Sequence, residues 1–182
     1  MTNENEDVKQ LYTKEFKKKW FGEGEWVDEP DCVKFDYNGY KCLVYRLVKK
    51  EPYAVEEHYF GGHLCGYVLL KEDNKLDKQA MYDIDCHGGI TFCEEGGSFE
   101  DENGKEIHMR CGYLIGFDCG HSGDYVPSME KFMKVHREIG QISPIPIELS
   151  KCAIFNPVYR NFQFCVNECK RIVDQLISKE IQ

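Results

Sequence analysis

The sequence contains no long hydrophobic run. Its longest apolar segments, near 64–70 and 113–117, are far shorter than the ~20 residues that a transmembrane helix needs. The first ten residues, MTNENEDVKQ, are polar and acidic, without the basic and then apolar pattern of a secretory signal peptide. We therefore expect an intracellular protein whose thiols are reduced.

Positive charge and the signatures of well-known enzyme classes are also scarce. The sequence has no HExxH, no Walker loop, no GxSxG and no GxGxxG. Its 23 Lys and Arg face 32 Asp and Glu, which gives a formal net charge of −9. A surface of this sign repels nucleic acid and anionic membranes, so it excludes generic nucleic-acid coating. The same charge favours docking onto a strongly basic partner.

Cysteine, in contrast, is abundant, with ten in 182 residues. Cysteine-based zinc sites usually contain short C-x2-C pairs, and this sequence has none. Most of the cysteines lie in or beside apolar segments, where a free thiol behaves as a small hydrophobic side chain. We predict buried core thiols. The alternative is a cluster of the four that flank one predicted hairpin, Cys86, Cys93, Cys111 and Cys119.

The length predicts a single domain, 1–182, and the apolar pattern predicts the α+β class. Residues 3–20 are predicted to form a polar, solvated helix within an N-terminal helical arm, 1–22. Alternating runs at 32–37 and 40–48, separated by an Asn-Gly pair, predict a hairpin.

The remaining strands and helices follow from periodicity. The segment 63–70 is apolar on both faces and predicts a central strand. Two further strands, 84–93 and 107–118, complete a sheet region over 32–118. The expected architecture is a mostly antiparallel sheet of about five or six strands. Helices pack on one face of it, at 128–140 and, as a long C-terminal helix with an apolar stripe, at 161–179.

Histidine and aspartate concentrate in two short loops, 83–89 and 118–124. A second Asn-Gly pair, at 103–104, predicts the turn of an antiparallel hairpin between them. With that turn, His87 would lie opposite Gly120, so the two loops would meet at one end of the hairpin. Two histidines and several aspartates are therefore expected to lie together.

Three interpretations of this cluster stay open. Histidine and aspartate are typical ligands of a divalent metal, with neighbouring carboxylates orienting the imidazoles. A histidine held by an aspartate is also a general base, with Cys86 or Cys119 as nucleophile. The third interpretation is structural, because Asp and Ser beside Gly form tight turns. A divalent metal is the one cofactor that the sequence suggests, and its candidate ligands are Asp85, His87, Asp118, His121 and Asp124, with His63 near them.

The predicted hairpin tip, 94–106, is strongly acidic, with six acidic residues against a single lysine. Such a run is typical of a solvated loop. It also suits insertion into a basic nucleic-acid channel as a phosphate mimic, where long-range attraction makes binding salt-sensitive. The candidate partner-binding residues are Glu94, Glu95, Glu100, Asp101, Glu102 and Glu106.

Two motifs carry a resemblance to a known family. D-x-H-G-G-[IL]-T-[FY] matches 85–92, G-F-D-C-x-H-x-G-D matches 116–124, and the strings YRNF and ECKRIVDQL follow. In motif order the chain resembles a widespread family of small proteins encoded by bacteriophages and mobile elements. The resemblance implies a type II-A anti-CRISPR protein of the bacterial cytoplasm, which binds the Cas9–guide RNA complex and blocks target DNA engagement or cleavage.

The resemblance carries over no reaction, so a second function stays open. It is a small metal-dependent or thiol enzyme that uses the His/Asp cluster to modify a nucleotide or a host macromolecule. A binding module for a partner unrelated to CRISPR is a third.

Overall fold

The computed structural model of the chain describes residues 7–50, 58–70, 80–81, 83–95, 98–100, 106–108, 113–129, 131–133 and 157–180. These residues form a six-stranded antiparallel sheet, a separate two-stranded sheet and helices. The predicted α+β class with a mostly antiparallel sheet is confirmed. Among the described residues, no helix combines the length and the apolar character needed to cross a membrane.

Six of the eight described strands form the main sheet. The strands are β1 (Asp7–Lys9), β2 (Cys32–Tyr37), β3 (Tyr40–Lys50), β4 (Tyr59–Leu69), β5 (Phe92–Glu95), β6 (Ser98–Glu100), β7 (Glu106–His108) and β8 (Tyr113–Asp118). The helices are α1 (Lys14–Phe21) and α2 (Phe162–Glu180), with a 3-10 turn at Glu25–Val27. The main sheet has the order β1-β2-β3-β4-β8-β5, and β6 pairs with β7.

The hairpin between β2 and β3 turns at the predicted Asn-Gly pair. Asn38 and Gly39 have φ angles of 47° and 78°, both left-handed, as a type I′ turn requires. β4 pairs with the other side of β3 and also with β8. The predicted hairpin and the predicted central strand at 63–70 are both confirmed.

α2 closes the main core by packing across β3 and β4. It begins after Asn161, whose side-chain oxygen accepts the N–H of Phe164 and so caps the helix. Its buried positions recur at helical spacing, which confirms the predicted C-terminal helix. They are Cys165, Cys169, Ile172, Val173 and Leu176, and they meet sheet residues that include Leu64, Val68, Ile115 and Phe117.

Cysteines contribute to these cores as predicted. All of the described cysteines are buried except Cys93. Burial raises the pKa of Cys65 to about 12 and that of Cys86 to about 11. These thiols therefore stay protonated at neutral pH. Cys111 and Cys152 lie outside the described residues.

The prediction of one helix over 3–20 is wrong in its first half. Asp7–Lys9 instead form β1, which pairs with β2 at the edge of the sheet. α1 begins later because Thr13 caps it by accepting the N–H of Phe16. Residues before Asp7 lie outside the described residues.

A buried charge network ties α1 to the sheet. Asp31 Oδ1 lies 2.7 Å from Lys17 Nζ and 2.8 Å from Arg46 Nε, and all three side chains are fully buried. Arg46 also donates to Glu29 and to the hydroxyl of Tyr159. The expectation of a fully solvated lysine face on this helix is therefore wrong at Lys17.

The strand predicted over 84–93 begins only at Phe92. Gly88 and Gly89 have φ angles of 69° and 81°, a left-handed conformation that an extended strand excludes, so the segment before Phe92 is a loop. β5 then places Phe92 opposite Gly116, one residue away from the predicted register. A one-residue shift exchanges the faces on which the side chains lie.

The other two predicted elements are only partly described. The strand predicted over 107–118 appears as β7 and β8, and 109–112 between them lie outside the described residues. Of the helix predicted over 128–140, residues 129 and 131–133 are helical. Ser128, at the start of this segment, uses its hydroxyl to accept the N–H of Gly61.

Candidate functional site

The two histidine and aspartate loops lie together, as predicted. His87 comes from the loop before β5, and His121 and Asp124 come from the loop after β8. Asp124 Oδ2 lies 2.8 Å from His87 Nε2 and accepts the backbone N–H of His121 at 3.1 Å. One ligand atom from each of the three side chains lies within 4.8 Å of the others. Three of the five candidate metal ligands therefore form one cluster.

Asp124 is the centre of this cluster, with a side chain that is only 2% exposed. Its other oxygen, Oδ1, lies 3.1 Å from Arg160 Nε. Burial alone would raise the pKa of Asp124, but hydrogen bonds from His87 and Arg160 outweigh it and hold that pKa below its ordinary value. The buried Asp124 side chain is therefore ionised at neutral pH, and a carboxyl group must be ionised to bind a metal.

Asp118 and His63 border the cluster. Asp118 Oδ1 lies 3.7 Å from His121 Nδ1, and Thr91 donates its hydroxyl to Asp118 Oδ2 at 3.0 Å. A Cβ added to Gly120 would lie 3.2 Å from Asp118 Oδ1 and 3.3 Å from His63 Nε2, so both side chains face the same small space. Burial lowers the pKa of His63, which keeps this imidazole neutral.

Asp85 does not belong to the cluster. Its exposed carboxylate pairs with Arg171 Nη2 at 2.8 Å, and its backbone N–H donates to Gln175 on α2. The expectation that Asp85 lies with the other candidate ligands is wrong, because the segment predicted to be an extended strand is a loop.

Close packing holds the two histidine rings in place. The rings of His87 and His121 lie 5.5 Å apart, edge to face, and His87 also meets the edge of Phe164 at 5.3 Å. The backbone N–H of His87 donates to Glu168 on α2. A Cβ added to Gly88 would lie 2.2 Å from His121 Cε1, so only glycine fits under this ring. The first glycine of the D-x-H-G-G sequence is therefore required by packing against His121.

His121 Nδ1 is buried and, within the described part of the chain, has no hydrogen-bond partner. It lies 3.7 Å from an oxygen of Asp118 and 3.7 Å from an oxygen of Asp124, which is too long for a hydrogen bond. Leaving a buried polar atom unpaired costs about 1–3 kcal/mol. Ligands of a tetrahedral zinc ion lie about 3.3 Å apart. The 3.7 Å distances from His121 Nδ1 are therefore closer to the spacing of ligands around a shared ion than to hydrogen bonds, whereas His87 Nε2 and Asp124 Oδ2, at 2.8 Å, are hydrogen-bonded directly.

Arg160 was not predicted from sequence chemistry, although it lies in the YRNF string. A parallel bridge between Asp124 and Val158 brings this segment to the site. The hydroxyl of Tyr159 donates to Glu29 at 2.6 Å, which anchors the segment on its other side. These contacts join residues far apart in the chain, so no local pattern could have identified them.

The thiols near the cluster are poorly suited to nucleophilic catalysis. Burial raises the pKa of Cys86 to about 11. A hydrogen bond with Cys165, whose sulfur lies 3.6 Å away, raises the pKa of Cys119 further, and burial adds to this effect. A protonated, buried thiol is a weak nucleophile. The geometry favours the metal interpretation over the thiol interpretation.

The structure describes only part of the acidic segment that holds the partner-binding candidates. Glu94 is exposed. By position, Glu94 and Glu95 belong to β5, Glu100 to β6 and Glu106 to β7, whereas Asp101 and Glu102 lie outside the described residues. Their role in binding a basic partner stays a prediction.

No family model matches the chain, and neither a curated protein nor a solved structure matches it. The resemblance to the phage and mobile-element family therefore stays a prediction. Function has to be argued from the site itself.

Proposed function

We propose that this protein binds a divalent transition metal ion, such as zinc, through His87, His121 and Asp124. The observation that carries the proposal is their convergence, with ligand atoms within 4.8 Å of one another. Two imidazoles and one carboxylate are a donor set that zinc prefers. A metal would also supply the partner that His121 Nδ1 lacks among the described residues.

The groups behind the ligands support the same proposal. Arg160 holds one oxygen of Asp124, and Glu168 holds the backbone of His87. Outer contacts of this kind orient metal ligands, and removing one typically weakens metal binding by about 10- to 100-fold. The site is thus prepared before an ion arrives.

Three protein ligands leave one position of a tetrahedral ion open. In catalytic zinc sites that position holds a water molecule, whose pKa the ion lowers to about 7. Asp118 borders the cluster and is partly exposed, so its carboxylate would be available to accept a hydrogen bond from such a water. The arrangement supports a hydrolytic role for the metal better than a thiol reaction.

Metal titration tests the proposal directly. We expect the purified chain to bind one equivalent of Zn2+ or Co2+ in isothermal titration calorimetry. Asp124→Asn should weaken binding by at least about 10-fold, because the amide oxygen carries no charge. Asp85→Asn is the matched control, since it makes the same change at a carboxylate outside the cluster, and it should bind as the parent does.

Asp124 is buried, so the fold of its variant needs a check by circular dichroism. His121→Ala is the second variant, because the His121 side chain is 32% exposed and its removal should be tolerated. It should also lose metal affinity while staying folded. Absence of metal binding by the parent chain, or equal binding by parent and His121→Ala, would contradict the proposal.

A further inference from the structure

Arg160 borders the metal cluster with most of its guanidinium unused. Its Nε bonds to Asp124 Oδ1, and the side chain is 31% exposed. In the described part of the chain, its two terminal nitrogens have no hydrogen-bond or ion-pair partner. Arginine presents these nitrogens as a planar fork, which matches the oxygens of an anionic group.

The fork is held in place before a ligand arrives. The guanidinium carbon lies 4.9 Å from the centre of the Phe164 ring, so the two groups stack. The neighbouring residue, Tyr159, is anchored to Glu29, which in turn accepts the first backbone N–H of α2, that of Phe162. An anion that binds here meets a preorganised arginine, which lowers the entropic cost of binding.

One carboxylate separates the arginine from the proposed ion. Asp124 Oδ1 faces Arg160, whereas Oδ2 faces His87 and the backbone N–H of His121. A metal bound on the Oδ2 side and the guanidinium on the Oδ1 side would therefore be close neighbours. A single tetrahedral anion has enough oxygens to contact both positive centres at once.

Resting on the proposed metal site, we infer that the ligand of this site carries a phosphate group. Two phosphate oxygens would accept from the Arg160 fork and a third would enter the open position of the metal. A carboxylate offers only two oxygens, and the fork would occupy both. Phosphate therefore suits the combined site better than carboxylate.

The local charge supports an anionic ligand although the whole chain is acidic. A divalent ion and Arg160 carry three positive charges against the two negative charges of Asp118 and Asp124, and Glu168 beside His87 is paired with Arg171, in a protein whose formal net charge is −9. The positive potential is therefore confined to the site. Only a small anionic group that reaches the metal would benefit from it.

Visible spectroscopy of the Co2+-loaded protein tests the inference with inorganic phosphate as the probe. The spectrum of tetrahedral Co2+ reports the metal site first, and its change on adding phosphate then reports entry into the open position. We expect phosphate to change the spectrum saturably. Arg160→Gln should weaken phosphate binding by about 10- to 100-fold, the range for loss of hydrogen bonds to a charged group.

Arg171→Gln is the matched control, because it removes an arginine of α2 that pairs with Asp85 and Glu168 instead. It should bind phosphate as the parent does. Arg160→Lys keeps a positive charge beside Asp124 without the fork, so it should lose phosphate affinity even when both proteins are compared at saturating Co2+.

The proposed metal site, the role of Arg160 and the choice of phosphate would each be contradicted by a different result. If Co2+ does not bind to the parent chain, the proposed metal function is wrong. If Co2+ binds but Arg160→Lys takes up phosphate as well as the parent does, the inference about Arg160 is wrong. If acetate displaces phosphate at equal concentration, the choice of phosphate over carboxylate is wrong.

Discussion

Replacing Asp31 with asparagine tests the charge network that connects α1 to the sheet. Asp31 is fully buried, and one of its oxygens contacts the cations of Lys17 and Arg46. The other oxygen accepts the backbone N–H groups of Leu11 and Tyr12, both at 3.0 Å. Asparagine keeps the size and one acceptor oxygen but removes the carboxylate charge that contacts both buried cations, and leaves only Glu29, which pairs with Arg46.

The expected cost follows from that imbalance. Removing one partner of a buried ion pair costs about 3–5 kcal/mol, because the other charge stays desolvated and uncompensated. Burial already lowers the pKa of Lys17, and the contact with Asp31 is what opposes that effect. For a chain of this length such a loss lowers Tm by about 6–20 °C.

Urea denaturation and thermal melting of Asp31→Asn measure the loss. Asp28→Asn is the matched control, because Asp28 pairs with Lys14 at the exposed surface, where ion pairs contribute little. The control should melt close to the parent. A loss for Asp31→Asn no larger than that of the control would refute the reasoning, because it would mean that the cations are not held in a desolvated network.

Two further predictions concern the site and the partner. Because hydrogen bonds lower the pKa of Asp124 in the folded state, its ionised form stabilises the fold above the ordinary value of 3.8 and loses this contribution as the pH falls through the folded-state value. The stability difference between the parent and Asp124→Asn, from urea denaturation, should therefore shrink as the pH falls from 3.8 through the folded-state pKa. A constant difference would contradict the hydrogen-bonding scheme. The resemblance to the phage and mobile-element family, together with the net charge of −9 and the acidic segment 94–106, predicts that the protein co-migrates with a Cas9–guide RNA complex at low salt and separates at moderate salt. No complex at low salt would contradict the prediction of Cas9 inhibition.

Elements set by neighbouring residues were predictable from the sequence. The β2–β3 hairpin follows from Asn38-Gly39, because few other residue pairs adopt two left-handed conformations in succession. The stripe of α2 follows from its spacing, which only a helix can place on one face. In contrast, Asp7–Lys9 carry no strand pattern of their own. They become a strand because β2 offers them unpaired backbone groups.

The candidate site was also predictable from the sequence only in part. The residue types of its two loops indicated a metal or a catalytic centre, and His87, His121 and Asp124 do come together. The hairpin register was wrong by one residue, and Asp85 turns away to Arg171. Two consecutive left-handed glycines replace a predicted strand by a loop, so strand-based geometry could not place these side chains.

The sequence by itself determined the fold class, the buried character of the thiols and the kinds of side chain at the site. These depend on short-range periodicity and residue chemistry, which are readable without knowing the fold. Only the tertiary structure decided which polar groups meet. Arg160 lies 36 positions from Asp124 in the chain and reaches it because a backbone bridge joins Asp124 to Val158. Lys17 is buried because it contacts Asp31. Such contacts depend on how separate segments pack, and packing brings together residues that have no sequence relation to one another.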